Sequence, residues 1–261
     1  MKLAHEILFK FLTNKQISIL LILIVLLGIL YSCVFDSTKE LQLVRKSTFF
    51  LYPDTTTSVF SNNIQRHTFH EYEVVSICNP IKSQIIVFAL QNGAELYKID
   101  LEDDGPHSVG RAQDELSHSF LNDSTLHIFN YARQTLYELR LIGNSYKINK
   151  KCIIPLDSSM TISVPLVNTF KPIVNFNRNV LLSGLLIGIE DIPASLKVKN
   201  MIELDLSQCK YRSGLERPKV YEQGNFGIEA GYQVYHTVNP KEKLIYFSFG
   251  IDPLVYALGG C

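Results

Sequence analysis

The chain has 261 residues, and its 25 basic and 25 acidic residues give a formal net charge of zero. Neither sign forms a long run, which argues against a polybasic surface for nucleic acid. Thirteen Tyr, fifteen Phe and many β-branched residues favour strands. No segment after the first 32 residues keeps a helical period for three turns. The composition therefore predicts an all-β protein without a nucleic-acid partner.

The first 32 residues have the pattern of a bacterial lipoprotein signal peptide, which predicts an N-terminal signal helix. Basic residues precede an apolar run at positions 17–31, and Ser32 stands directly before Cys33. Cleavage there would leave Cys33 as an acylated N-terminal residue whose acyl chains partition into membrane lipid. We therefore expect an outer membrane lipoprotein of the bacterial cell envelope, facing the periplasm or the surface, with residues 33–44 as a tether.

Two alternatives to acylation stay open. Tyr31 is bulkier than the residues usually found two places before a modified cysteine, so an ordinary cleaved secretory signal is compatible with the segment. The apolar run has fifteen residues, fewer than the ~20 that a membrane-spanning helix needs. An uncleaved helix that borrows flanking residues would instead make the chain a signal-anchored sensor protein.

Residues 45–261 are predicted to form a β-propeller-like domain of four-stranded blades. A strand–turn–strand unit recurs with a period of about forty residues, and a Leu-Tyr pair occupies positions 96–97 and 136–137. The four copies are residues 84–101, 125–141, 179–206 and 243–258, and an earlier strand-like pair is residues 48–52 and 72–77. Strand repeats of this period are typical of propeller blades, with a β-sandwich as the alternative.

The clearest turn of the repeat is Asn92-Gly93, because both residue types accept a positive φ and favour a hairpin. In the strand that follows, Tyr97 and Ile99 share one apolar face. The chain ends at Cys261 just after an apolar strand, whereas a propeller closes by pairing its first and last blades. We therefore expect an incomplete propeller, truncated at its C terminus.

Four later segments stand out beside the lipoprotein-like start, namely residues 162–165, 172–173, 238–249 and 255–256. Together with that start, they resemble a family of Bacteroidetes lipoproteins that carry a domain of unknown function. The likeness extends over residues 33–258 and depends on the cadence of the strands. It implies a six-bladed propeller within a longer protein, and the family offers no catalytic residue to carry over.

Three clusters are the best candidates for chemistry, and each has a structural interpretation. His67 and His70 are three residues apart, which on a strand places them on opposite faces, so we predict polar surface histidines. Ser117-His118 lacks the strained elbow of a serine nucleophile. The acidic pairs at 103–104 and 114–115 lack the spacing of a calcium loop. We predict no catalytic residue, no metal ligand and no cofactor.

Four cysteines follow Cys33 in the sequence, with no CxxC motif among them. In an exported protein Cys78, Cys152, Cys209 and Cys261 could pair in three ways. Cys78 and Cys152 lie in apolar strand contexts, however, and small buried hydrophobic residues are what such contexts usually hold. We expect these two to be buried hydrophobic residues, and the disulfide state of all four cysteines stays open.

The leading hypothesis for function is a membrane-anchored, non-catalytic propeller whose loops bind an unknown envelope protein or ligand. The aromatic residues chosen as the first binding surface to test are Tyr211, Tyr221, Phe226, Tyr232 and Tyr235. The alternative is a glycan-active or other hydrolytic enzyme, since propellers host several. That alternative needs paired carboxylates or a His–carboxylate set facing the channel, which the sequence does not show.

Overall fold

The computed structural model describes residues 48, 50–53, 61, 63–111, 116–155, 164–176, 179–185, 199–223, 233–239 and 242–259. The predicted signal peptide, Cys33 and the tether lie outside the described residues. Nearly all of the described residues belong to one compact unit, Phe49–Cys261.

Sixteen strands of the described chain form four antiparallel sheets in a four-bladed, β-propeller-like arrangement. Sheet 1 contains β1 (Ile64–Phe69), β2 (Tyr72–Asn79), β3 (Gln84–Ala89) and β4 (Glu95–Asp100). Sheet 2 contains β5 (Leu116–Asn122), β6 (Thr125–Asn130), β7 (Thr135–Ile142) and β8 (Ser145–Ile153). Sheet 3 contains β9 (Val164–Pro165), β10 (Val174–Phe176), β11 (Asn179–Leu185), β12 (Met201–Asp205) and β13 (Lys210–Gly214). Sheet 4 contains β14 (Val234–Asn239), β15 (Leu244–Phe249) and β16 (Asp252–Gly259), and a 3₁₀ helix covers Lys219–Gln223.

Each sheet is a meander in which neighbours in the chain are also neighbours in the sheet. Sheet 3 departs from this pattern only at β9, which pairs with the far end of β11. Sheets 1 and 2 are in contact through β1 with β5 and β4 with β8, and sheets 3 and 4 through β11 with β14. Sheets 2 and 3 share one cluster of core side chains. This confirms the predicted all-β, propeller-like fold over the β-sandwich. The resemblance implied six blades, and the described part of the chain forms four sheets.

The hydrophobic core consists of apolar side chains packed between successive sheets. The inner strands β3 and β6 are almost wholly buried, so each of them is covered on both faces. Their continuous apolar sequences suit this position between neighbouring sheets. One buried pair from each interface is Ile85 with Leu126, Leu136 with Ile202, and Leu181 with Ile245. The three interfaces between sheets therefore hold both the core and the buried polar groups considered below.

The four predicted hairpins are all present, as β3–β4, β6–β7, β11–β12 and β15–β16. The predicted phase of the repeat is wrong in the first copy, because β3–β4 joins the third and fourth strands of sheet 1. The other three copies join the second and third strands of sheet 2, of the β10–β13 part of sheet 3 and of the three-stranded sheet 4. Of the earlier strand-like pair, residues 72–77 lie in β2, but the described residues within 48–52 form no strand.

Two buried asparagines occupy equivalent positions in sheets 1 and 2 and show which strands of the two sheets correspond. Asn79 and Asn130 end the second strands, 51 positions apart in the sequence. The side chain of each accepts a backbone N–H of the four-residue turn that follows. Each turn then ends on a positive φ, 49° at Ser83 and 45° at Gln134. The Leu-Tyr pairs forty residues apart therefore occupy different strands of their sheets.

The predicted Asn92-Gly93 hairpin is confirmed, but the two residues act differently. Gly93 has a φ of 72°, and its N–H donates to Ala89 O at 2.8 Å. Asn92 instead accepts the Ala94 N–H through its side-chain Oδ1 at 3.0 Å. A Cβ placed on Gly93 would collide with the backbone carbonyl of Phe50, so this position requires glycine for space as well as for φ.

Candidate functional site

A short turn between β9 and β10, residues 167–172, is the element on which the sheets converge. It closes through two backbone hydrogen bonds between Asn168 and Lys171, 3.0 and 3.1 Å long. The Asn168 side chain also accepts the Phe170 N–H at 2.9 Å. Asparagine commonly stabilises turns in this way because its side chain mimics a backbone carbonyl. We call this segment the central turn.

The central turn is held by the first strands of the three other sheets. Thr169 Oγ1 accepts the Ile64 N–H of β1 at 2.8 Å. The Ser117 hydroxyl of β5 donates to the Val167 carbonyl. His236 Nε2 of β14 donates to the Pro172 carbonyl at 3.0 Å. One short turn can reach three strands only where those strands lie close together, so the first strands converge here.

Phe170 lies at the tip of the central turn with 76% of its surface exposed. The neighbouring Lys171 is 1% exposed, so the turn places an aromatic ring outward directly beside an inward-facing lysine. A large exposed aromatic ring on a turn with fixed backbone hydrogen bonds is suited to binding, because little conformational entropy is lost when it is covered.

Each interface between successive sheets also contains a histidine hydrogen-bonded to a polar side chain of the adjacent sheet. His118 Nε2 lies 2.6 Å from Ser76 Oγ between sheets 1 and 2. His127 Nδ1 lies 2.7 Å from Asn175 Oδ1 between sheets 2 and 3. The third interface repeats the serine–histidine pair, with Ser183 on β11 and His236 on β14. These pairs satisfy polar atoms that the packing of the sheets buries.

Burial keeps these histidines neutral at physiological pH. Desolvation lowers the pKa of His118 to about 3, with the nearby His67 as a second cause. Desolvation lowers the pKa of His236 to about 4. The pKa of His127 is also lowered by burial, although Asn175 and Glu138 oppose that shift. The imidazoles therefore act as neutral hydrogen-bonding groups within the core.

The Ser76–His118 pair has the two groups of a nucleophile and its base, but its surroundings do not suit catalysis. Ser76 is 0% exposed and His118 is 1% exposed, so substrate has no access to either side chain. His118 Nδ1 has no hydrogen-bond partner among the described residues, whereas a catalytic histidine is oriented by an acceptor at that nitrogen. The Ser117 hydroxyl binds the central turn and faces no base.

The prediction of surface histidines is right for His70 and wrong for His67. His70 is exposed and lies 3.3 Å from Asp123. His67 is half-buried and stacks on Phe120 with a centroid separation of 4.4 Å. Burial lowers its pKa to about 4. His67 is two residues from the buried Phe69 on β1, so both side chains lie on the inward face of the strand. This is why His67 is not a surface residue.

The acidic candidates have partners within the protein. Asp103 accepts the Ser83 hydroxyl, and Asp104 lies 3.7 Å from Arg111. The second acidic pair, residues 114–115, lies outside the described residues. Within the part of the chain that the structure describes, no three His, Cys, Asp or Glu side chains are grouped as a metal site would require.

The aromatic residues chosen from the sequence do not form one surface. Tyr221 is fully buried and packs edge-on against Phe249. Tyr211 is half-buried against the core, and Tyr235 is 38% exposed. The remaining two, Phe226 and Tyr232, lie outside the described residues. Tyr221 is therefore a core residue and is not available to a binding surface.

The expected burial is confirmed for both Cys78 and Cys152, and the structure decides which of the two is paired. Cys78 is buried and unpaired, and burial raises its pKa to about 12. Cys152, at the end of β8, forms a disulfide with Cys209 in the β12–β13 turn. The apolar sequence around Cys152 predicts its burial, but it contains no sign that Cys209 of sheet 3 lies close enough to pair with it. Cys261 lies outside the described residues.

Sequence reasoning missed the central turn and two of the three interface histidines. The signal for the turn was the run from Asn168 to Pro172, in which turn-forming residues flank an aromatic ring. The signal for His127 was a polar residue enclosed by apolar neighbours in the middle of a strand. Such a residue predicts a buried hydrogen bond, although its partner on another sheet cannot be named from the sequence.

Comparison with known proteins supports the fold. A member of the DUF4221 family from Bacteroides vulgatus superimposes with a TM-score of 0.66 at 13% identity, covering 84% of this chain and 63% of that one. A putative exported protein from Bacteroides fragilis gives a TM-score of 0.51 at 13% identity, covering 82% of this chain and 52% of that one. The chain thus spans less than two thirds of either structure. No protein-family model and no curated protein matches the sequence.

The fold and its structural neighbours define the class of protein, which is a β-propeller-like domain similar in architecture to proteins of Bacteroides. No helix among the described residues is long and apolar enough to cross a membrane. The apolar run at 17–31 precedes the described part of the chain.

Proposed function

We propose that this chain is a bacterial envelope lipoprotein, anchored through acylated Cys33, whose propeller-like domain binds a partner without catalysing a reaction. The observation that carries the binding role is the central turn, where an exposed Phe170 stands at the convergence of the first strands. Propellers arrange their blades around a central channel, and loops at a rigid scaffold commonly carry binding residues.

The Cys152–Cys209 disulfide supports an extracytoplasmic location. It joins sheet 2 to sheet 3, and structural disulfides persist in oxidising compartments such as the periplasm. The signal pattern before Cys33 favours the same location, and one protein of similar fold is described as exported. The partner is accordingly expected to be a protein or ligand of the envelope.

The experiment is photo-crosslinking in intact cells, with a photoreactive amino acid at position 170. A matched control carries the same group at Ile142, which is 60% exposed at the end of β7. The proposal predicts a discrete crosslinked species from position 170 that the control does not give. Crosslinking that is absent from both positions, or the same at both, would contradict binding at the central turn.

A further inference from the structure

We propose that acid selectively releases sheets 1 and 4 by local unfolding, while sheets 2 and 3 stay joined. The three interfaces share the same kind of buried histidine, but the charges that surround each histidine differ. Those charges decide whether a proton on the imidazole is repelled or accommodated.

Of the three interfaces, the one between sheets 2 and 3 opposes protonation of its histidine least, because Asn175 and Glu138 offset part of the effect of burial on His127. Nδ1 donates to Asn175 Oδ1, which leaves Nε2 as the site of protonation, and Nε2 lies 3.6 Å from a Glu138 carboxylate oxygen. An imidazolium would therefore gain an ion pair at that atom. Two further links cross this interface, namely the Cys152–Cys209 disulfide and a 3.0 Å hydrogen bond from Lys150 Nζ to the Ser207 carbonyl.

The interface between sheets 3 and 4 repels a proton on His236. Nε2 already donates to the Pro172 carbonyl, so Nδ1 is the site of protonation, and Nδ1 accepts the Ser183 hydroxyl at 2.7 Å. A proton on Nδ1 would reverse that hydrogen bond. The charge of buried Lys171 acts on the same imidazole and lowers its pKa further, beyond the effect of burial. Among the described residues no carboxylate is a cause of this shift, whereas Glu138 opposes the shift at His127.

The interface between sheets 1 and 2 holds two histidines that repel each other when charged. His67 and His118 both lie within hydrogen-bonding range of Ser76 Oγ, at 3.5 and 2.6 Å. Asp123 partly offsets the effect at His67, but its carboxylate already pairs with the exposed His70. An exposed pair of this kind adds little stability.

The unfolded segments bind protons more tightly than the folded sheets, so stability is lost as pH falls below about 6.5. For one histidine whose pKa changes from 6.5 to about 4 on folding, lowering the pH from 7 to 5 favours opening by about 20-fold. Two such histidines, as at the interface between sheets 1 and 2, favour opening by roughly 500-fold. Opening of sheet 4 also breaks the hydrogen bond from His236 to the Pro172 carbonyl, which is one of the three contacts that hold the central turn.

Hydrogen exchange at pH 7 and pH 5, corrected for the intrinsic exchange rate, tests the proposal on the oxidised protein. Protection factors of β14 should fall by about 20-fold and those of β1 by roughly 500-fold. Those of β12 and β13 should change far less. A loss of protection that is equal in all four sheets, or greatest in sheet 3, would overturn the proposal.

A His236→Gln variant separates the titration of this residue from other effects of acid. Glutamine can still hydrogen-bond to Ser183 and Pro172 but does not titrate, so β14 should lose its pH dependence while β1 keeps it. His107→Gln, a change at an exposed histidine, should leave both unchanged. If His236→Gln does not fold, the comparison of β1, β14 and β12–β13 in the unaltered protein still decides the question.

Discussion

Ser183 Oγ lies 2.7 Å from His236 Nδ1, across the interface between sheets 3 and 4. Because His236 Nε2 donates to the Pro172 carbonyl, the imidazole is fixed as the Nε2–H tautomer and Ser183 must be the donor. A single side chain therefore connects β11, β14 and the central turn. Ser76 and His118 form the corresponding link between sheets 1 and 2.

Removal of the Ser183 hydroxyl should destabilise the protein. In Ser183→Ala the Nδ1 atom of His236 loses its donor while still buried, which costs about 1–3 kcal/mol. Urea unfolding at pH 7 measures the change in free energy. The control is Ser145→Ala, at an exposed position at the start of β8. Equal stability of the two variants would show that the link to His236 contributes nothing.

Reduction of the Cys152–Cys209 disulfide should destabilise the fold without abolishing it. The bridged residues are 57 positions apart, and the loop-entropy model gives about 4 kcal/mol for a loop of that size. Urea unfolding with and without reductant measures this difference. In a Cys152→Ala/Cys209→Ala variant the reductant should have no effect. If reductant did not change the free energy of unfolding of the unaltered protein, the pairing of Cys152 with Cys209 would be contradicted.

The Cys78 thiol should be unreactive in the folded protein. It is 4% exposed, and burial raises its pKa to about 12, so at pH 8 almost none of it is the reactive thiolate. A variant with Ser at positions 33 and 261 isolates this thiol. A chromogenic disulfide reagent should detect no free thiol until denaturant is added, and then one equivalent. Full reaction under native conditions would show that Cys78 is accessible.

Gly93→Ala should be more destabilising than Gly143→Ala. Both glycines have a positive φ, 72° and 55°, but a Cβ at Gly143 meets no atom whereas a Cβ at Gly93 meets the Phe50 carbonyl. The left-handed conformation alone costs an alanine about 1–2 kcal/mol. Thermal unfolding of the two variants isolates the additional cost of the collision. Equal losses would mean that the segment at Phe50 moves aside freely.

The fold was predictable because strand patterns are local. Alternating and continuous apolar runs, with turn residues at their ends, located the four hairpins. The phase of the repeat was not predictable in the same way, because the Leu-Tyr pairs at 96–97 and 136–137 are more conspicuous than Asn79 and Asn130. The asparagines define the register only when their buried turn contacts are seen.

The candidate site was less predictable because each of its contacts joins distant parts of the chain. Thr169 and Ile64 are 105 positions apart, and His236 and Pro172 are 64 apart. Neither the partner of Cys152 nor the burial of Tyr221 follows from its sequence neighbours. Such features depend on how one sheet packs on the next, and a single sequence contains no direct record of that packing.

The measurement that tests the central claim most directly is the intact mass of the protein extracted from membranes, compared with a Cys33→Ala variant. The account predicts the mass of residues 33–261 plus acyl chains, and loss of both processing and acylation in the variant. A mass that begins at Met1 in both proteins would contradict the lipoprotein proposal. The chain would then be held by an uncleaved helix.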